Sequence, residues 1–466
     1  YCLTLQTIPF RVHSFLSAEV FALPIMRVRS VQTVLIVGVV VLLPLAIGLL
    51  SWTMVGIQRE RPGPLVENSA LDWIFFHFPI NSYRSLYVFN LTNYEDFVTK
   101  RTVRRAVVSE LGPYVFRIVN NKTKESYQNH TLRYSEKRTL FFEPTMSNGS
   151  LDDKIITANF QAMRSYYSDG VPRSKFRKTT LFLNVTVNEY FFVGYYDPDL
   201  NFLHGIVPGY LSNQNFSSNR PVQVYTDTKR VNQIVSIDGR TSLASYGNQC
   251  SAIEGTDGEL FSAFEEPPRS VKIFSFYYTK PWFLYLQRKY VADGALIARF
   301  QGASDLFNET GDLELDNCFC LTPTHIKGTY DASKYHAVRS GLGDFATPLV
   351  LSLPHFLHAD PALHANVSGL HPDKNKHNFY VDVHASSGLR VDMRLRMQTN
   401  LRLVHLDTEP VPRIILPIFW TEDAILPSDR DYLLCLLKPR QLVSWTALAA
   451  FLCLLATSAL LCGLLL

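Results

Sequence analysis

The hydrophobic pattern is dominated by the two ends of the chain. Residues 34–57 are a run rich in Val, Leu, Ile and Gly with no charge, closed by Arg27 and Arg29 before it and Arg59 after it. A bilayer-crossing helix needs about 20 predominantly apolar residues, so residues 31–57 are expected to span a membrane. Pro44 sits mid-span, which a membrane helix tolerates where neighbours or a local adjustment satisfy the freed carbonyl. The run is too long, and lies too far in, for a secretory signal peptide, so it reads as a signal anchor. Residues 442–466 are equally apolar, and the chain ends within them. Residues 58–441 then form one long loop hung from two anchors, which excludes a cytoplasmic soluble enzyme.

Inside the loop the period is two. Val391, Met393, Leu395, Met397, Thr399, Leu401 and Leu403 alternate with Asp392, Arg394, Arg396, Gln398, Asn400 and Arg402. This predicts a strand with one apolar face and one wet, cationic face. Shorter β-like runs occur at residues 114–119, 221–226, 271–278 and 379–384, punctuated by Pro, Gly, Asn and Asp. Helical patterns cover residues 94–109, with Phe97, Val98, Val103 and Val107 on roughly one side, and residues 155–167. Long helical patterns are missing from the loop. The expected fold is therefore β-rich α+β: a large antiparallel sheet or barrel with short helical insertions, between N- and C-terminal transmembrane helices.

Orientation follows from charge and from sequons. Arg11, Arg27 and Arg29 favour a cytosolic segment at residues 1–30. Lys438 and Arg440 argue the other way, but long loops translocate largely regardless of charge. Asn90, Asn121, Asn129, Asn148, Asn184, Asn215, Asn308 and Asn366 each open an N-x-[S/T] triplet, and all lie between the anchors. Chance would give about three, so the excess reads as a glycosylated lumenal or extracellular domain. The net charge of +4, spread along the chain, is unlike the clustered charge of nucleic-acid binding, and no nucleic-acid partner is expected.

Cys250, Cys318, Cys320 and Cys435 fall in the loop, where an oxidising compartment permits bridges. The Cys-x-Cys at Cys318 and Cys320 lacks a second pair at zinc-ligand spacing, so no metal is expected there. Six histidines crowd a late stretch: His355, His358, His364, His371, His377 and His384. They read as scattered surface residues, against a metal pair from His355-x-x-His358 or an endosomal acid sensor. H-E-x-x-H, G-x-S-x-G and P-loop signatures are all missing, so neither an enzyme nor a cofactor is expected. Ala459 and Gly463 form a small-xxx-small pair that can support helix association, and so a homo-oligomer.

Five motifs occur in a telling order: Glu110-Leu-Gly-Pro-Tyr-Val-Phe116, Glu254-Gly-Thr-Asp257, Cys318-Phe-Cys320, Ser352-Leu-Pro-His-Phe356, and a run over residues 380–401 that ends Arg396-Met-Gln-Thr-Asn400. In them the chain resembles the class B scavenger receptors, which include fatty acid translocase, lysosomal integral membrane proteins and insect sensory neuron membrane proteins. The resemblance implies a β-rich, barrel-like ectodomain with an apical helical cluster, and a tunnel that passes lipid towards the membrane. Implied partners are the membrane, fatty acids, sterols or carotenoids, and lipoprotein or protein ligands. A plasma-membrane location is implied, with the endosomal or lysosomal membrane as the alternative. A cargo or adhesion receptor without lipid flux is the competing function.

The apex corresponds to residues 155–195, whose basic residues Arg173, Lys175, Arg177 and Lys178 would draw carboxylates or acidic particles. The tunnel wall would carry Val391, Met393, Leu395, Met397 and Leu401; from the residues alone a filled core is the favoured reading. The resemblance also places a disulfide at Cys250 and Cys318, leaving Cys320 and Cys435 unassigned. Where relatives often have Trp-Gly-Tyr, this chain has Val193-Gly194-Tyr195.

Overall fold

The computed structural model describes residues 65–166, 180–197, 206–207, 209, 211, 217–242, 252–276, 280–302, 306–307, 326–332, 348–403, 411–437 and 452. Both apolar end runs, apart from Leu452, lie outside these residues. Among the described residues no helix is long and apolar enough to cross a membrane. Residues 63–434 form one compact unit, described below.

Its strands in chain order are β1 (Ser82–Leu91), β2 (Ala106–Gln128), β3 (Thr131–Phe142), β4 (Lys154–Ala158), β5 (Phe182–Thr186), β6 (Tyr195–Tyr196), β7 (Ile206–Val207), β8 (Ser217–Tyr225) and β9 (Ile234–Ile237). There follow β10 (Ser270–Ser275), β11 (Lys280–Ala292), β12 (Ala295–Gly302), β13 (Tyr330–Asp331), β14 (Leu349–Ser352), β15 (Val367–Ser368), β16 (Tyr380–His384), β17 (Arg390–Arg402) and β18 (Ile415–Ile425). The helices are α1 (Ala70–Phe76), α2 (Phe160–Tyr166), α3 (Pro361–Asn366), α4 (Lys374–His377) and α5 (Pro427–Leu436).

One sheet organises the unit, in the order β10-β11-β12-β16-β17-β18-β1-β2-β3-β8-β9, with β14 also on β17, β13 on β14 and β15 parallel to β2. The pairing does not close on itself. Instead the two edge strands meet one short segment: Ile234 N–H of β9 donates to Gly255 O, Thr256 N–H donates to Lys272 O, and Phe274 N–H returns to Thr256 O. The Glu254-Gly-Thr-Asp257 motif is thus the stitch between the edges, and the sheet must curve strongly for both to reach it. Gly255 sits at φ +109°, and a Cβ there would lie 2.8 Å from the Lys272 carbonyl, which accounts for glycine.

The five expected strand runs overlap β2, β8, β10, β16 and β17, with Thr226, Phe276, Phe379 and Leu403 just outside the strands and residues 277–278 outside the described residues. The helix expected over residues 94–109 is reduced to one turn, Glu95–Thr99. From Ala106 the chain joins β2, where Val108 pairs with Leu91, and Val103 and Val107 are exposed rather than buried. A β-branched run gains more from a ladder than from a helix. The pattern at residues 155–167 also splits. Ile155 and Ile156 pair with β5, and the helix starts only after Asn159, whose Oδ1 caps it by accepting from Ala162 N–H at 3.0 Å.

Candidate functional site

Strand register sets the site. Leu395 lies opposite Asp423, Asp423 opposite Arg84, Arg84 opposite Phe116, and Phe116 opposite Phe142. Directly opposed residues share a face, so these five form one row across β17, β18, β1, β2 and β3. A second row runs Met397, Thr421, Leu86, Tyr114. Lys122 lies six residues beyond Phe116 and so faces the same way, and its ammonium reaches Asp257 at 3.1 Å and Glu259 at 2.6 Å. Those carboxylates belong to the stitching segment, so this face is the inside of the curved sheet.

Exposure separates the five side chains expected to line a tunnel. Val391, Met393 and Leu401 are 1%, 3% and 0% exposed and are closed in by packing. Leu395 and Met397 stay half-buried on a stretch of β17 that pairs with β18 along one edge and lies between the β16 and β14 pairings on the other. Beside them Arg84 meets Asp423 in a two-pronged ion pair, Nε to Oδ1 at 2.6 Å and Nη2 to Oδ2 at 2.7 Å, with both side chains partly accessible. Phe419 packs edge-on to Phe191 at 5.1 Å, and Phe116 lies 5.0 Å from Phe192. The accessible patch is a branched chain, a thioether and a closed ion pair: a surface that can lie along an acyl chain and present donors and acceptors to its polar end.

The inner face also carries charge that the alternation at residues 391–403 did not signal. Burial opposes the Lys122 ammonium, but Asp257, Glu259 and Glu136 outweigh it and hold the pKa above the ordinary lysine range. Burial likewise works against the Glu259 carboxylate, and Lys122 and Arg390 more than offset it, keeping its pKa low. Asn120 adds a donor to Glu259 at 3.3 Å.

The other face of β17 is a correction. It was expected to be wet and cationic, yet Arg396, Gln398 and Asn400 are 6%, 0% and 0% exposed. The segment following β14 covers them. His355 N–H donates to Gln398 Oε1 at 2.6 Å, Gln398 Nε2 donates to Asn400 Oδ1 at 2.8 Å, and Asn400 Nδ2 donates to Val350 O and Ser352 Oγ, both at 3.0 Å. Arg396 closes on Glu422 at 2.5 Å and donates to Asn378 O. Under that cover these side chains have no route to water, so each finds an internal partner.

His355 anchors this cover. Its Nδ1 accepts from His371 N–H at 3.1 Å, which leaves the ring proton on Nε2 to be donated to Glu110 Oε2 at 2.7 Å. Both nitrogens are engaged, so the His355-x-x-His358 spacing does not form a metal pair. Trp420 Nε1 donates to the same Glu110 oxygen at 2.7 Å, and Trp420 stacks on Tyr87 at 3.8 Å. Burial alone would raise the Glu110 carboxyl, but the bonds from His355 and Trp420 prevail and hold it below the usual value. The His377 ring stacks on His355 at 4.4 Å; burial first, and His355 second, push its pKa down to about 4. His384 is lowered to about 4 by burial. His355, His377 and His384 are therefore interior residues and not scattered surface ones, because they lie on or under the covered face of the sheet.

The remaining expectations divide by position. Arg173, Lys175, Arg177, Lys178, Cys250, Cys318, Asn215 and Asn308 lie outside the described residues; Cys435 is disulfide-bonded. Asn121, Asn129, Asn148, Asn184 and Asn366 are exposed, whereas Asn90 is half-buried and its Oδ1 accepts from Ile156 N–H at 2.8 Å. At the Val193-Gly194-Tyr195 departure, Val193 is 68% exposed, Gly194 sits at φ +91° and Tyr195 OH donates to the capping residue Asn159 at 3.0 Å.

Comparison with known proteins agrees with this architecture. A family model described as the CD36 family matches residues 33–465. Scavenger receptor class B member 1 of Rattus norvegicus is 28% identical over 419 residues, covering 83% of this chain and 80% of the rat protein. Sensory neuron membrane protein 1 of Antheraea polyphemus is 25% identical over 435 residues, 81% of this chain and 79% of its own. Protein peste of Drosophila melanogaster is 25% identical over 377 residues, 74% and 66% of the two chains.

Proposed function

The chain belongs to the CD36 family, and on that premise we propose that it is a membrane-anchored receptor that takes lipid into the interior of its curved sheet and passes it towards the bilayer. The observation that carries this reading is the accessibility of Leu395 and Met397. They lie on the inner face of a central strand whose neighbouring apolar side chains, Val391, Met393 and Leu401, are sealed. A filled core would seal them too.

In this reading residues 58–441 are an extracellular or lumenal, glycosylated domain, and residues 31–57 and 442–466 cross the membrane. The fold is barrel-like in the sense that the Gly255–Thr256 stitch joins the edges of the sheet. Acyl chains or sterols lie along Leu395 and Met397, and a carboxylate or hydroxyl meets the Arg84–Asp423 pair. Arg173, Lys175, Arg177 and Lys178 gather acidic ligands, including lipoproteins, at the entrance. The receptor works at the plasma membrane, with endosomal or lysosomal membranes as the alternative.

The test is extraction of purified full-length protein from a glycosylating host, followed by mass spectrometry of the small molecules it retains. Acyl lipid or sterol should be recovered from the wild-type chain and depleted in a Leu395→Trp variant of equal thermal stability. Equal recovery from both, or none from either together with no binding of a fluorescent fatty acid or a sterol probe, would overturn the proposal.

A further inference from the structure

Helix α1 is built inside out. Among its residues, Ala-Leu-Asp-Trp-Ile-Phe-Phe, the one charge is Asp72, and that carboxylate is turned into the protein and 4% exposed. It accepts from Asn68 N–H at 2.8 Å, Lys124 Nζ at 3.1 Å and Tyr127 OH at 2.5 Å. The next residue, Trp73, is 58% exposed. Ala70, Trp73 and His77 recur at three- and four-residue steps and so share the outward side, where the Trp73 and His77 rings stack at 5.4 Å. Val66, in the turn before the helix, is 51% exposed. A surface helix in water orients the other way, with charge outward and the indole inward.

The position of α1 identifies what covers that side. It leads into β1, whose first residue, Ser82, is opposite Ile425 at the end of β18, and α5 follows directly from there. On α5, Tyr432 is 52% exposed. Both helices therefore lie at one end of the sheet, and both are short tethers away from the apolar runs: twelve residues separate Ile57 from Ala70, and five separate Leu436 from Leu442. Five extended residues reach about 17 Å, less than the thickness of a bilayer core. The second tether is net basic through Lys438 and Arg440, which complement lipid phosphates, while in the first Arg59 and Arg61 are balanced by Glu60 and Glu67.

We infer that the outward side of α1, with Tyr432 of α5, seats in the headgroup layer of the membrane, so that this end of the sheet rests on lipid rather than standing off in water. Trp and Tyr favour that layer because an apolar ring and a polar edge are both satisfied there. The stacked His77 supplies a second polar edge. The inference rests on the two-span reading of the end runs.

The test uses the full chain carrying Trp52→Phe and Trp445→Phe, which removes the indoles of the end runs. Trp282 and Trp420 are 3% and 4% exposed, so Trp73 is the accessible reporter among the described residues. The protein is reconstituted into phosphatidylcholine–phosphatidylglycerol vesicles with and without lipids brominated on their upper acyl carbons. The emission component that Trp73→Phe subtracts should fall by roughly half with brominated lipid and resist aqueous iodide. An unchanged thermal midpoint in Trp73→Phe establishes that the subtraction reports the indole and not misfolding. Carbonate-resistant protein whose Trp73 emission ignores brominated lipid and is quenched by iodide overturns the docking and leaves the two spans standing. Chain released by alkaline carbonate overturns both.

Discussion

His355 and Glu110 meet at 2.7 Å across 245 residues of sequence, and they join the cover of the sheet to β2. The Glu110 oxygen serves two buried donors, His355 Nε2 and Trp420 Nε1. Glu110→Ala leaves both unpartnered and should cost about 2–4 kcal/mol, read as a lowered unfolding midpoint of the full-length protein. Glu110→Gln keeps one acceptor oxygen and should lose less. Equal midpoints for wild type and Glu110→Ala would contradict this role.

Acid should weaken the fold before it protonates the carboxylates. His377 and His384 bind protons near pH 6.5 when unfolded and only near 4 when folded. As pH falls through that window the unfolded state takes up protons first, so stability is full above about 6.5 and declines towards 4. Glu110 has the same sign but acts at lower pH: its lowered pKa gives stability that is present above the ordinary 4.5 and lost as pH falls through its folded value. Unfolding midpoints taken between neutral and about pH 4.5 should therefore drop, and His384→Asn should flatten the drop. A flat wild-type profile is the contrary result.

Lys122 stands 3% exposed between Asp257 and Glu259. Lys122→Met would leave the Asp257 carboxylate without its ammonium and Glu259 with Arg390 as its ion-pair partner, and should cost about 3 kcal/mol. Adding Asp257→Asn and Glu259→Gln should restore part of the loss, because the stranded charges are then gone. Limited proteolysis at rising temperature reads both effects, and a triple variant less stable than Lys122→Met would speak against charge as the cause.

Glycan occupancy should follow exposure. Asn121, Asn129, Asn148, Asn184 and Asn366 should each lose one glycan in mass when changed to Gln. Asn90, held by Ile156 N–H at 2.8 Å, should be unmodified. Glycopeptide mapping decides each site, and a glycan on Asn90 would require that bond to open.

The alternation at residues 391–403 was legible because β17 is long and its period is strict. What the pattern could not show was that Arg396, Gln398 and Asn400 would be roofed over, since the roof comes from residues 353–378 and depends on tertiary pairing. Polar residues on a strand read as solvent-facing unless their partners are known, and the roof's backbone and side-chain partners lie 18 to 50 residues away, held in turn by Glu110 of β2 through His355. The helix expected at residues 94–109 failed for the same reason, because ladder partners on β1 outweighed a local periodicity. The Lys122 cluster left no periodic trace, although the Glu254-Gly-Thr-Asp257 motif that supplies Asp257 had been singled out. Its residues gain meaning only when the sheet curves back onto that segment.

The most direct test of the account is uptake of a fluorescent long-chain fatty acid by cells displaying the full-length chain, compared with cells displaying Leu395→Trp or Met397→Trp at equal surface level. An indole in either place fills the accessible patch on the inner face. Uptake should fall towards background in both variants while binding of a protein or lipoprotein ligand at the outside persists. Undiminished uptake in both correctly folded variants would show that lipid does not travel along this wall.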